Sequence, residues 1–155
     1  MLNLTFISIG KTNEPYVKEG LEKYLKLLSK YAKVDWIELN DVKNAGKLPP
    51  DKLKEAEADI IANAVPDKSA IVFLDETGKQ FDSRKFSTYL EKKSIDHSKI
   101  TFVIGGAFGL SEVIKKRGES ISLSAMTFNH QMVRLILTEQ IFRAFTIIKG
   151  TTYHH

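Results

Sequence analysis

Six side chains near the end of the chain have types and spacings suited to chemistry: His130, Arg134, Glu139, Arg143, Tyr153 and His154. Histidine exchanges a proton near neutral pH, and a helix N-terminus, where His130 falls, disfavours the cationic ring. His130 therefore reads as a proton acceptor or as a surface or capping residue. Arg134 stands one turn further on. Glu139 and Arg143 are an i,i+4 pair, which on an exposed helix contributes only about 0.2–0.5 kcal/mol. Tyr153 offers a stacking face and a hydroxyl, and His154 a second titratable ring, on a tail that would ordinarily fray. Two backbone segments join them. Gly105-Gly106-Ala107-Phe108-Gly109 lets a main chain approach a ligand, or makes a tight turn. It is neither a P-loop nor Gly-x-Gly-x-x-Gly. Ser124 to Phe128 is either an ordinary connection or a stretch of backbone N–H and C=O groups that reads an adenine edge or holds a carboxylate.

These residues must be placed by secondary structure. Leu2–Ile9, Val34–Leu39, Ala70–Leu74, Ile100–Ile104 and Ser120–Leu123 read as strands. Asp75–Lys79 reads as a turn, with Gly78 its glycine. Helices are expected after Pro15, from Asp51 as cap, from Ser83 as cap, from Ser111 to Lys116, and over Gln131–Lys149, with a loop from Asn40 to Pro50. Strands and helices alternate five times, which argues an α/β fold with a mainly parallel sheet covered by helices on both faces. The carboxyl ends of such strands are where ligands bind. The last helix has one apolar stripe (Val133, Ile136, Leu137, Ile141, Ala144, Phe145, Ile148) and apolar residues beside it (Met132, Leu135, Phe142). Either it is deeply buried or its second side meets another copy of the chain.

Composition narrows the class. The chain has 155 residues, 43% hydrophobic and 27% charged, with no cysteine. Disulfides, thiolate nucleophiles and thiolate metal sites are excluded, and no histidine spacing suggests a metal. No apolar run approaches membrane length and the N-terminus does not read as a signal peptide, so a cytoplasmic, membrane-free protein of one domain over residues 1–155 is expected. The net charge is +4, and six basic face three acidic residues after position 105. That permits an anionic partner without demanding one.

Taken together, Val103–Leu110, the run Leu123 to Arg134, Glu139–Ala144 and the terminal Tyr153-His154 resemble the ribosomal large subunit methyltransferase H family, a small branch of the SPOUT methyltransferases, along the whole chain. Asn129 stands where that family often has proline, and His155 where it often ends in a basic residue. The resemblance implies a SPOUT fold with a C-terminal trefoil knot, a homodimer, and S-adenosylmethionine as methyl donor. The implied substrate is N3 of a pseudouridine in 23S rRNA of the assembled ribosome. It implies a donor pocket of Leu74, Gly105, Leu123, Ser124, Ala125, Met126, Thr127 and Phe128. The implied catalytic set has His130 and His154 for the proton, Arg143 or Arg134 for phosphate or developing negative charge, Glu139 to orient an arginine, and Tyr153, with Phe108, to stack the base. Without the resemblance, a non-enzymatic ribosome-associated RNA-binding module and a flavodoxin-like nucleotide-binding protein fit the same elements.

Overall fold

The computed structural model describes residues 1–155. Its strands are β1 (Leu2–Ile9), β2 (Ala32–Leu39), β3 (Ala70–Gln80), β4 (Lys99–Ile104) and β5 (Glu119–Ser122). They form one sheet in the order β2-β1-β4-β3-β5, with every neighbouring pair parallel. The helices are α1 (Pro15–Leu28), α2 (Pro50–Ala64), α3 (Ser83–Asp96), α4 (Glu112–Lys115) and α5 (His130–Ile148).

The period of two along each central strand sends alternate residues to two cores. Leu4 and Phe6 of β1, Val72 of β3, and Ile100, Phe102 and Ile104 of β4 meet α1, α3 and α5 on one face. Ile7 and Ile9, Ile71 and Phe73, and Val103 meet Ile61 of α2 and Ile114 of α4 on the other. Burial on both faces explains why these strands read as continuous apolar runs.

The expected elements are all present, with corrections. The strand starting at Ala70 does not stop at Leu74. Leu74 and Lys79 both pair with Ile121, so residues 75–78 bulge out and the strand resumes through Gln80. Gly78 serves this return rather than an ordinary turn: a Cβ there would lie 2.7 Å from the backbone of Ser120 and Ile121. Asp51 is not the cap of α2; it lies in the first turn, behind the Pro49-Pro50 pair. Asp82, not Ser83, caps α3, accepting the Lys85 N–H at 2.8 Å. Ser111 caps α4 as expected.

Helix α5 lies on the sheet between α1 and α3. Leu137, Ile141 and Phe145 face the core. Leu135 and Phe142 find partners within the chain: half-buried Leu135 occupies the space left by Gly20 of α1, and Phe142 packs with Tyr24 and Tyr31. Met132 remains exposed.

Gly118, entering β5, lets that strand pass against Ile71, whose carbonyl oxygen occupies the place a Cβ would take. The collision is with backbone, which relaxes poorly. Gly118→Ala is therefore expected to lose about 1–3 kcal/mol, lowering the thermal midpoint by about 2–12 °C. Gly46→Ala, which meets nothing within 4 Å, should leave it nearly unchanged. Calorimetry of the two variants checks this.

Candidate functional site

A cavity of about 550 Å³ opens beyond the carboxyl ends of β3, β4 and β5. Three segments wall it: residues 74–77 of the β3 bulge, residues 104–110 after β4, and residues 122–130 apart from Ala125. Leu74, Gly105, Leu123, Ser124, Met126, Thr127 and Phe128 thus line it as expected. Ala125 is exposed and does not.

Local chemistry shapes these walls. The Ser122 hydroxyl donates to the Ser124 carbonyl at 2.9 Å, and the Ser124 hydroxyl accepts the Met126 N–H at 3.0 Å, so the segment holds its own turns. Gly105 leaves room for Leu110, which a Cβ would meet at 2.9 Å. In the glycine loop, the Gly109 N–H donates to the Gly106 carbonyl at 3.0 Å. Gly106 and Gly109 are bridged to each other, while the backbone N–H groups of Gly105, Ala107 and Phe108 donate to no other protein group, nor do those of Thr127 and Phe128. Small residues here expose donors, which suit a ligand with ring nitrogens and a carboxylate.

His130 begins α5 at the cavity edge. Asn129 caps that helix, its side chain accepting the Gln131 N–H at 2.8 Å. Asparagine thus fixes the helix start just where proline would have stiffened the loop.

Four of the other predicted residues converge elsewhere. Glu139 Oε1 accepts from Arg143 Nη2 at 2.6 Å, from Arg143 Nε at 3.0 Å and from the Tyr153 hydroxyl at 3.1 Å. Arg143 Nη1 donates to His154 Nδ1 at 3.0 Å. A guanidinium has no acceptor, so in this contact Nδ1 accepts and Nε2 is the ring's donor. The Arg143 guanidinium lies over the Tyr153 ring at 4.9 Å, and that ring meets Phe142 edge-on at 4.8 Å. The tail is therefore pinned rather than frayed. The hydrogen bonds to Glu139 hold Arg143 firmly charged, above its ordinary value. Burial first, then the Tyr24 and Glu139 contacts, raise Tyr153, so its phenol stays protonated at neutral pH.

Arg134 joins neither group. It is 1% exposed and donates to the carbonyls of Ile9 at 2.8 Å and Gly10 at 3.1 Å and to the Thr12 hydroxyl at 2.9 Å. Burial lowers it, opposed by Glu38 and Asp41. With Gln131, which bonds the Lys11 carbonyl and the Asn13 N–H, it ties the loop after β1 to the start of α5.

The sequence reading passed over Tyr24, and gave Asp75 no role beyond its place at the carboxyl end of a strand. Tyr24 of α1 meets the Tyr153 hydroxyl at 3.4 Å, and its place in an apolar helical stripe hid this. Asp75 lines the cavity, fixed by Lys115 Nζ at 2.8 Å and by the Thr77 N–H and hydroxyl, both at 3.1 Å. Its turn-like context disguised it.

The profile of a family described as predicted SPOUT methyltransferase matches residues 2–154. Proteins named ribosomal RNA large subunit methyltransferase H are similar over almost their full length. That of Cytophaga hutchinsonii is 43% identical over 156 residues, covering 99% of this chain and 100% of its own. That of Bacillus cereus is 45% identical over 158 residues and that of Parabacteroides distasonis 44% over 156, each covering 99% of both chains.

Burial alone would raise the Asp75 carboxyl, but the hydrogen bonds from Lys115 and Thr77 outweigh it and hold the carboxyl below its ordinary value. A carboxyl lowered by folding adds stability above the ordinary range, and loses it as pH falls through the lowered value. Lys115→Met is thus expected to be less stable than wild type by about 1 kcal/mol at neutral pH, and the gap should close below about pH 4. Urea unfolding across that range measures it; a gap independent of pH would contradict the assignment.

Proposed function

Because this chain belongs to the SPOUT methyltransferase family, in its ribosomal RNA large subunit methyltransferase H branch, we propose that it is an S-adenosylmethionine-dependent rRNA methyltransferase. Its target is N3 of a pseudouridine in 23S rRNA, reached in the assembled large subunit or 70S ribosome in the cytoplasm. The whole of residues 1–155 is one catalytic domain. The fold we infer for it is that of a SPOUT domain with a C-terminal trefoil knot, as the family implies.

The observation that carries this reading is the cavity itself, with free backbone N–H groups on two walls and His130 at its edge. The chemistry of its donor set fits the methyl donor: main-chain groups of Leu74, Gly105, Leu123, Ser124, Met126, Thr127 and Phe128 match an adenine edge and a carboxylate, and Asp75 and Glu76 supply negative charge for a cationic ligand. When bound, S-adenosylmethionine supplies an electrophilic methyl group on a sulfonium.

The chain must then align a base nitrogen with that methyl and remove one proton. The reacting atoms need to stand about 3–3.5 Å apart. His130 and the Arg143 cluster are thirteen positions apart on one helix, a rise of about 20 Å. One chain does not bring both to one substrate. We therefore assign the site to a homodimer, with the donor cavity and His130 from one protomer and the tail cluster from its partner. Exposed Phe108 and Met126 at the cavity rim, and exposed Met132 in the first turn of α5, suit such burial. In this arrangement Arg143 holds the developing negative charge on the base, and Glu139 orients Arg143. Tyr153 packs on the base, and His154 Nε2 donates to it. His130 is left as the proton acceptor. Arg134, facing inward, positions the start of α5. A charge of +4 is too small to hold RNA by phosphates alone, so recognition rests on docking to folded rRNA.

The test is methylation of 70S ribosomes lacking the modification, using tritiated S-adenosylmethionine, with the labelled nucleoside identified by mass spectrometry. N3-methylpseudouridine is expected. His130→Ala and Arg143→Ala should each lower kcat/KM by about 10²–10³-fold. Mixed and refolded together, these two variants should recover about a quarter of the wild-type activity, because half the dimers carry one intact composite site. No recovery would argue against shared sites, and no label on ribosomes would move the substrate elsewhere.

A further inference from the structure

Two buried side-chain polar atoms lack a hydrogen-bond partner: Nε of Arg134 and Oε1 of Glu57. The Arg134 guanidinium already engages three acceptors through its other nitrogens. Glu57 is different. It is 5% exposed, stands midway along α2, and forms no ion pair. Burial, and then the like charge of Asp41, push its carboxyl above the ordinary range. A buried polar atom without a partner calls for an explanation, because an apolar side chain of the same size would fill the space more favourably.

Its position supplies one. The carboxyl rests against Gly106: a Cβ there would lie 2.8 Å from Oε1 and nearer still to Oε2. Gly106 belongs to the loop that walls the donor cavity and is bridged to Gly109, while the N–H groups of Gly105 and Ala107 on either side of it donate to no protein group. An orphan acceptor and orphan donors thus stand beside one another across a single residue of backbone. In either protonation state a carboxyl keeps an oxygen that accepts.

We propose that Glu57 is a positioning residue for the methyl donor: its carboxyl accepts the backbone N–H of Gly105 or Ala107 when the donor fills the cavity and presses the glycine loop toward α2. This rests on the methyl-donor reading above. The absence of a side chain at Gly106 is what lets the two come together.

Calorimetric titration with S-adenosylmethionine tests this in wild type, Glu57→Met and Glu57→Gln, with thermal unfolding of each in the absence of donor. Glu57→Met removes the acceptor at nearly constant volume. Its unfolding midpoint should equal or exceed that of wild type, since an unsatisfied polar atom is gone, while donor affinity falls by about tenfold or more. Glu57→Gln keeps an acceptor oxygen and should bind within about threefold of wild type. Glu57→Met binding as tightly as wild type overturns the proposal and leaves the methyl-donor reading intact. Wild type that binds no donor overturns that reading instead. Should Glu57→Met fail to fold, Glu57→Ala combined with Gly106→Ala refills the space from the loop side. Wild-type affinity in that double variant makes the contact purely steric and overturns the proposal; weak binding supports it.

Discussion

The site depends on one close approach: β5 lies so near β3 that Gly78 and Gly118 have no room for a side chain. That contact fixes where β5 ends, and residues 122–128 start from that end. Because β3 bulges over residues 75–78 and then returns to the same partner, its bulge and the segment after β5 face each other. The loop after β4, from the neighbouring strand, closes the third wall. A parallel sheet always leaves carboxyl ends on one edge. Here the tight seam turns that edge into a half-open cavity between three segments.

Helix α5 then distributes the remaining chemistry. Its inward face begins with polar residues, Gln131 and Arg134, and continues with Leu137, Ile141 and Phe145. The polar start is satisfied by the carbonyls and N–H groups of residues 9–13, so the first turn is anchored as firmly as the apolar part is packed. His130 inherits a fixed position from this. At the other end, Arg143 is fixed by Glu139, and the tail by Arg143, Phe142 and Tyr24. Two rigid stations on one rod cannot move toward each other, and the separation is a property of the helix rise rather than of any loop.

Much of the fold was legible because its signals are local. The buried strands announce themselves as apolar runs, and the order of strand and helix implies the parallel sheet. What escaped was set by distant partners. Asp75 to Lys79 has turn composition, and only β5 decides that the strand resumes after it. Leu135 and Phe142 read as a face for another molecule because Gly20, Tyr24 and Tyr31 lie more than a hundred residues earlier. Arg134 looked available for an anion, as a helical arginine near a histidine would, until the carbonyls of Ile9 and Gly10 took it inward. The glycine loop and the segment 123–128 were found from residue type alone, whereas the pairing of Tyr153 and His154 with Glu139 and Arg143 needed the chain's end to fold back.

The inward arginine and the buried glutamate clarify how such a site tolerates polar interior groups. Arg134 is buried because the loop after β1 offers carbonyl oxygens with no ladder partner, and a guanidinium satisfies several at once. Its desolvation is offset by those acceptors and by Glu38 and Asp41 nearby. Glu57 has no such compensation, and its one charged neighbour repels it. The difference separates two kinds of buried charge. One is complete in the folded chain and holds elements together. The other lacks its partner in the chain alone, and it lies against a loop with unused backbone donors of its own. The two shortfalls stand beside each other around Gly106, on the wall of the cavity, where a bound ligand would bring them together.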